Sequence, residues 1–185
     1  MMKRAVLGLT VAVMAVVVCF AQSGQDGEAN AQRIEQLFSA GQSFEDKREY
    51  DRAIAAYSEI IWIDPENTEA YKNRGRAYDK KGDYDRAIED YNQAILIDPN
   101  YWKAYNNRGA AYSEKEEYDK AIADYSQAIG INPNDADSYN NRGVVYAKKK
   151  DYAHARADWE KALQLDPDNA QVRNDLEVLE NMDIK

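Results

Sequence analysis

The sequence predicts an all-α protein in which helical hairpins stack into a right-handed α-solenoid that ends in a capping helix. Three observations carry this prediction. The four prolines of the chain lie 34 residues apart, at Pro65, Pro99, Pro133 and Pro167. Small residues recur at two fixed places within that period, and aromatic residues recur at three. Such a period is typical of stacked repeats, because one hairpin cannot bury its apolar stripe alone.

The first 21 residues are predicted to be a secretory signal peptide. Lys3 and Arg4 precede the uncharged apolar run 5–20, and Ala21 is a small residue suited to cleavage. As a helix the run would be ~24 Å long, short of a hydrocarbon core of ~30 Å. We therefore predict export, most simply to the periplasm. Secretion, or lipid anchoring through Cys19, are the alternatives, although valines stand where the usual lipidation signal has leucine and a small residue.

Between the signal and the repeats, residues 22–33 are polar and contain glycine, and they predict a flexible tether. The chain has a net charge of −9, so its surface repels nucleic acid and anionic lipid. No nucleic-acid partner and no membrane span in the mature chain are expected. Removal of the signal also removes Cys19, the only cysteine, and with it any disulfide or thiolate metal site.

With each proline at position 32, the repeats are 34–67, 68–101, 102–135 and 136–169. Positions 4, 8 and 11 share one face of a first helix, and positions 17, 20, 24 and 27 share one face of a second. Asp-Pro or Asn-Pro ends the second helix. Small residues at positions 8 and 20 let the helices approach, and aromatic residues fill the space around them. The recurring residues are Gly41, Gly75, Gly109 and Gly143 at position 8, Ala53, Ala87, Ala121 and Ala155 at position 20, and Tyr57, Tyr91, Tyr125 and Trp159 at position 24.

Residues 170–185 are predicted to be the capping helix and tail. Val172, Leu176 and Leu179 form one apolar stripe, and most of the other residues are charged or polar. A terminal helix of this kind covers the last repeat and presents a polar face to water.

The pattern over residues 34–169 closely resembles the tetratricopeptide repeat (TPR) family, apart from position 4. There the family often has tryptophan and this chain has Leu37, Tyr71, Tyr105 and Tyr139. The resemblance implies a non-catalytic scaffold whose first helices line a concave groove. It also implies that positions 2, 5, 6, 9 and 12 or 13 face that groove, where a protein or peptide partner binds.

Position 6 of repeats 2 to 4 predicts a ladder of amides, formed by Asn73, Asn107 and Asn141, with Asn106 and Asn140 assisting at position 5. An amide offers a donor and an acceptor, so it can pair with any peptide group. The alternative is that these asparagines only cap or solvate the inner helices. A basic cluster of Lys72, Arg76 and Lys103 could attract an acidic stretch of ligand, or could be a solvated face.

The carboxylate clamp of chaperone-binding members is not matched. Placed on repeats 2 to 4, it would require asparagine at position 76, lysine at 137 and arginine at 141, where this chain has Arg76, Asp137 and Asn141. Asp137 would repel the C-terminal carboxylate that such clamps hold. A heat-shock co-chaperone is therefore not predicted.

An arginine at position 7 and an aspartate at position 23 occur together in repeats 2 to 4, whereas repeat 1 has Ala40 and Ala56 at these places. Because both members change together, we predict structural ion pairs across each hairpin. The pairs are Arg74 with Asp90, Arg108 with Asp124, and Arg142 with Asp158.

No enzyme, metal or cofactor is predicted, because the mature chain has a single histidine, His154, and no phosphate-binding loop. The expected function is an envelope scaffold or adaptor that binds an extended segment or a helix of a partner. A structural subunit that self-associates as a homo-oligomer, or docks through its convex face, is the alternative. A small-molecule binder is a third class, although an open array offers no obvious closed pocket.

Overall fold

The computed structural model describes residues 27–183 of the chain. The predicted signal peptide lies outside these residues. Within them all regular structure is helical, and no strand occurs. Helices α1 (27–46) and α2 (Tyr50–Ile63) form the first hairpin, followed by α3 (Thr68–Lys80) with α4 (Tyr84–Ile97), α5 (Trp102–Glu114) with α6 (Tyr118–Ile131), α7 (Ala136–Lys148) with α8 (Tyr152–Leu165), and then α9 (Ala170–Asp183).

Helix α1 begins inside the predicted tether, so the structure differs from that prediction over residues 27–33. Ala29 and Ala31 are strong helix formers, and they extend the helix toward its N-terminus. Arg33 then fixes α1 to α2, since its guanidinium lies 2.8 Å from the carboxylate of Glu59. Helix propensity and this tertiary contact outweigh the polar composition that suggested a flexible segment.

The packing is that of a stack in which each helix contacts its neighbours along the chain. Helices of one hairpin contact each other, each second helix contacts the next first helix, and α3–α5 and α5–α7 contacts join the first helices. The buried residues form a chain of clusters, such as Ala87, Ile88, Tyr91 and Ala111. The predicted all-α solenoid of hairpins is therefore confirmed.

The glycines at position 8 are required by close contact with the second helix of the same hairpin. A Cβ atom added to Gly41 would lie 2.6 Å from Cε1 of Tyr57, and one added to Gly75 would lie 2.7 Å from Cε1 of Tyr91. Real Cβ atoms essentially never approach other atoms so closely. The predicted arrangement of small and aromatic residues is confirmed.

In each hairpin, a residue in the left-handed conformation at position 15 lies two residues after the end of the first helix. These residues have φ of 58° to 78°, and only one of them is glycine. The following backbone N–H donates to the carbonyl of position 11 at 2.8–3.0 Å, as in Glu49 to Phe44. This is the usual way to close a helix with a left-handed residue. The residues are Arg48, Gly82, Glu116 and Lys150.

The predicted ion pairs across the hairpins are confirmed in repeats 2 to 4. Arg108 donates through Nε and Nη2 to both oxygens of Asp124, at 2.7 and 2.6 Å. Its Nη1 donates to Asn92 in the preceding repeat, at 2.6 Å. Equivalent contacts join Arg74 to Asp90 and Ser58, and Arg142 to Asp158 and Ser126.

The same contacts explain why repeat 1 lacks the pair. The arginine holds the aspartate of its own hairpin and a polar side chain of the hairpin before it. Repeat 1 has no preceding repeat to hold, and Ala40 and Ala56 replace the pair. The bond to Asp90 also raises the pKa of Arg74 above its ordinary value, against the effect of burial.

At the other end of the array, α9 covers the last hairpin. Val172 and Leu179 are buried, and they cluster with Trp159 and Ala162 of α8. The predicted apolar stripe therefore packs as a cap. None of the helices in residues 27–183 combines the length and the apolar character that a bilayer span needs.

Candidate functional site

The predicted site residues lie on the first helices α3, α5 and α7, which contact one another in sequence. We call the side of α1, α3, α5 and α7 that carries positions 2, 5, 6, 9, 12 and 13 the first-helix surface. Side chains on this surface bond across repeats, as Arg76 of α3 does with Glu45 of α1. It is therefore continuous from one hairpin to the next.

The asparagines are arranged less uniformly than their sequence positions suggest. Asn141 Nδ2 donates to Asn106 Oδ1 at 3.3 Å, and that oxygen also accepts from the Ser138 hydroxyl at 3.3 Å. Asn73 is buried, and its amide donates to Glu69 at 3.4 Å. Asn107 is partly buried at the equivalent place on α5. The structure thus joins Asn106 to Asn141 and directs Asn73 toward a carboxylate.

Asn140 has an amide oxygen with an unmet hydrogen-bonding requirement. Its Oδ1 is buried and has no hydrogen-bond partner among the residues that the structure describes. A buried acceptor without a donor costs about 1–3 kcal/mol. An N–H group from a bound molecule would remove that cost once the Asn140 side chain turns its oxygen toward the surface.

Lys72, the first member of the predicted basic cluster, is paired within α3. It is buried and forms an ion pair with Glu69 one turn earlier, and burial lowers its pKa. The other carboxylate oxygen of Glu69 accepts a hydrogen bond from the phenol of Tyr101. Although burial acts the other way, the bonds from Lys72 and Tyr101 lower the pKa of Glu69.

Arg76 is also paired, with Glu45 of α1. Lys103, the third member, is exposed and has its ammonium 5.6 Å from the centre of the Trp102 ring. Two of the three predicted cations are therefore neutralised by carboxylates of the protein itself. The basic cluster offers much less free positive charge than the sequence suggested.

Sequence reasoning missed the acidic members of this surface: Glu45, Glu69 and Asp79. The sequence contained a signal for these acids, because they occupy positions 2 and 12, which face the groove in the TPR family. The pairing of Glu45 with Arg76 could have been found by comparing position 12 of one repeat with position 9 of the next, which lie 31 residues apart.

Nothing in residues 27–183 forms a group of three or more metal-binding side chains. His154 is exposed at the start of α8, where its Nδ1 lies 2.8 Å from Asp151 and its ring stacks on Tyr146. Its backbone N–H is capped by the same aspartate. The contacts with Asp151 give His154 a structural role at the start of α8.

Three family models match the chain, and all describe tetratricopeptide repeats. One matches residues 68–101 and 136–169, a second matches 90–123, and a third, described as TPR repeat, matches 111–150. Together they extend without a gap over 68–169. The chain is therefore built of tetratricopeptide repeats, as its sequence predicted. Among curated proteins none matches this chain.

Three of the solved structures with the same fold are useful for comparison. The crystal structure of MamA is 26% identical, covers 77% of this chain and 84% of its own, and has a TM-score of 0.70. The first TPR of Spaghetti (RPAP3), bound to the HSP90 peptide SRMEEVD, is 27% identical, covers 64% and 96%, and has a TM-score of 0.62. PilF of Pseudomonas aeruginosa, at 20% identity, covers 84% and 71% with a TM-score of 0.78 and shows the fold alone.

Proposed function

We propose that the protein is a non-catalytic scaffold of the cell envelope that holds a segment of a partner protein against the first-helix surface. The segment is an extended peptide or a helix. The observation that carries the proposal is the buried amide oxygen of Asn140, which lacks a donor within the described part of the chain. It lies in the row of asparagines that includes Asn106 and Asn107 on α5 and Asn141 on α7.

A peptide backbone supplies the chemistry that this row requires. Each peptide group has one N–H donor and one carbonyl acceptor, and an asparagine amide can pair with both. Recognition through the backbone also tolerates different side chains in the partner. The hydrogen bonds that Asn106 accepts from Asn141 and Ser138 would hold part of the row in place before the partner arrives.

The partner segment differs in chemistry from the peptide bound by the RPAP3 domain. That peptide, SRMEEVD, has three acidic residues among its last four. In this chain Lys72 and Arg76 are held by Glu69 and Glu45, and Asp137 is exposed where a clamp would place a cation. An acidic C-terminus would find little unpaired positive charge here.

The location in the envelope rests on the N-terminal sequence. Two basic residues, an apolar run and a small residue at the expected cleavage place support export, with the periplasm as the compartment. Cell fractionation, with the N-terminus of the mature protein determined by mass spectrometry, tests this. A mature chain starting at Gln22 supports export, and a retained Met1 in the cytoplasm refutes it.

Affinity capture from the envelope fraction of the source organism tests the binding function. The baits are the native protein, a triple variant with Asn73, Asn107 and Asn141 changed to alanine, and the single variant Asn140→Ala. A matched control changes the exposed amides Gln93, Gln127 and Gln164 of the second helices to alanine. Circular dichroism establishes that all four proteins are equally helical.

We expect the native bait and the glutamine control to retain the same partner, and the two asparagine variants to lose it. A partner retained equally by all four baits would exclude the first-helix surface. It would then favour the second candidate function.

That second candidate is a structural subunit that self-associates or docks through its second helices. Trp62 and Leu96 favour it, because they occupy position 29 of adjacent repeats and are 82% and 73% exposed. Exposed large apolar side chains that form a contiguous patch commonly mark interfaces, and the equivalent positions of these two predict such a patch. A sedimentation coefficient that rises with concentration, and falls back in a Trp62→Ser, Leu96→Ser variant, would establish it. A concentration-independent monomer would exclude self-association.

A further inference from the structure

An ion pair between the first helices of repeats 1 and 2 has no counterpart one repeat further along. Glu45 at position 12 of repeat 1 accepts hydrogen bonds from Arg76 at position 9 of repeat 2. The residues 34 positions later are Asp79 and Ala110. The acid is therefore kept, while the arginine is replaced by a residue with one carbon in its side chain.

Asp79 is left without the cation that its counterpart has. It forms no ion pair with any residue in the described part of the chain, and its buried Oδ1 has no hydrogen-bond partner there. The residue as a whole is only partly buried, as is Ala110. A group that approaches along the first-helix surface can therefore contact the exposed part of each residue, and it reaches Oδ1 when the carboxylate turns toward it.

Burial is the main influence on the ionisation of Asp79. It raises the pKa of the carboxyl group, whereas Lys80 on the same helix lowers that pKa and Glu114 raises it by a smaller effect. The pKa values of the phenols of Tyr91 and Tyr125 are raised chiefly by burial, and the charge of Asp79 adds to both shifts. The Asp79 carboxylate is therefore a partly desolvated negative charge.

We propose that Asp79 binds an arginine or lysine side chain of the partner segment. The guest cation would take the place that Arg76 occupies one repeat earlier, because Ala110 at the equivalent position carries only a methyl group. An arginine or a lysine fits, because each carries charged N–H donors that form strong hydrogen bonds with a carboxylate. This inference rests on the proposed function and gives the partner a chemistry: a basic residue on the segment that the asparagines hold.

Selection from a random nine-residue peptide library tests the inference with a defined probe. The library is panned in parallel on the native protein, on Asp79→Asn and on Ala110→Arg. The first variant removes the charge and keeps the shape, and the second supplies the missing arginine from the protein itself. The triple variant with Asn73, Asn107 and Asn141 changed to alanine is the fourth target.

We expect peptides selected by the native protein to share an arginine or lysine at one fixed place. Neither the Asp79→Asn nor the Ala110→Arg variant should select it. Replacing that residue with norleucine in a selected peptide should weaken binding to the native protein about ten-fold, as expected for a charge-assisted hydrogen bond. It should leave binding to Asp79→Asn unchanged.

Peptides with no preferred basic residue, or the same preference in the Asp79→Asn selection, would overturn the inference and leave the binding function intact. Failure to enrich any peptide, or enrichment of the same peptides by the asparagine variant, would overturn the binding function and this inference with it.

Discussion

Truncation of Arg108 to alanine isolates the carboxylate of Asp124 inside the hairpin of α5 and α6. Asp124 is 6% exposed, and both of its oxygens are held by Arg108. Removing one partner of a buried ion pair costs about 3–5 kcal/mol, because the other charge remains without compensation. The Arg108 side chain is 19% exposed, so water can reach the site. We therefore expect the lower end of that range, about 3 kcal/mol of the free energy of unfolding.

A double variant separates the loss of the pair from the loss of the individual side chains. Arg108→Ala with Asp124→Ala reproduces the alanines that repeat 1 carries at Ala40 and Ala56. With no buried charge left unpaired, the double variant should be more stable than Arg108→Ala alone. The coupling from the double-mutant cycle should be about 2 kcal/mol, within the range measured for contacting residues.

Urea unfolding followed by circular dichroism measures these differences, and thermal unfolding gives an independent check. For a protein of this size, a loss of about 3 kcal/mol corresponds to a midpoint lowered by roughly 6–12 °C. Lys115→Ala is the matched control, because Lys115 also joins two repeats, with its Nζ 2.5 Å from Asp85. That aspartate is 81% exposed, so the control should leave the midpoint nearly unchanged.

Three results would refute the structural role of the pair. The first is a loss of less than about 1 kcal/mol of the free energy of unfolding in Arg108→Ala, and the second is a double variant that is no more stable than Arg108→Ala. The third is a loss of partner-binding free energy that exceeds the loss of folding free energy.

Three further predictions follow from the described structure. Gly75→Ala places a methyl group against Tyr91 and should lower the free energy of unfolding by about 1–3 kcal/mol. The Cβ of Gly130→Ala meets no atom within 4 Å, so this variant should raise the free energy of unfolding by up to about 1 kcal/mol. Urea unfolding measures both variants, and changes in the same direction would contradict the prediction. Glu116→Gly relieves a φ of 60° and should stabilise the protein by about 1 kcal/mol, seen as a higher thermal midpoint; a lower midpoint would contradict it. Burial raises the pKa of Asp79, so ionisation of this side chain opposes folding. Asp79→Asn should therefore be more stable than the native protein at neutral pH, and this difference in stability should vanish as the pH falls to 3.8, the ordinary pKa of an aspartate. Thermal unfolding at several pH values measures it, and a difference that persists in acid would refute the reasoning.

Much of the fold follows from contacts that recur within one hairpin. The glycine at position 8 and the aromatic residue at position 24 lie 16 residues apart in every repeat, as Gly75 and Tyr91 do, and the pairs of arginine and aspartate have the same separation. Contacts of fixed separation repeat in register with the sequence period. For that reason the pairing of Arg108 with Asp124 could be predicted from the amino-acid sequence.

The state of the candidate site could not be predicted in this way. The pairing of Lys72 with Glu69 lies within α3 and follows the usual spacing of three residues, but whether Arg76 is free depends on Glu45 of the preceding hairpin. Contacts between hairpins depend on how far each hairpin is shifted and rotated against the next. A pattern within one helix contains no information about that shift, so the sequence overstated the free charge of the basic cluster.

By itself, the sequence determined the period, the paired helices, the close approach at the glycines and the ion pairs within hairpins, because these depend on spacing within a single repeat. Only the tertiary structure decided which polar groups of the first-helix surface are satisfied by the protein. Glu45 has its arginine, whereas Asp79 and Asn140 each keep a buried oxygen without a hydrogen bond in the described residues. The physical reason is that the satisfaction of a buried polar group depends on every neighbour within hydrogen-bond distance, and these neighbours come from different repeats.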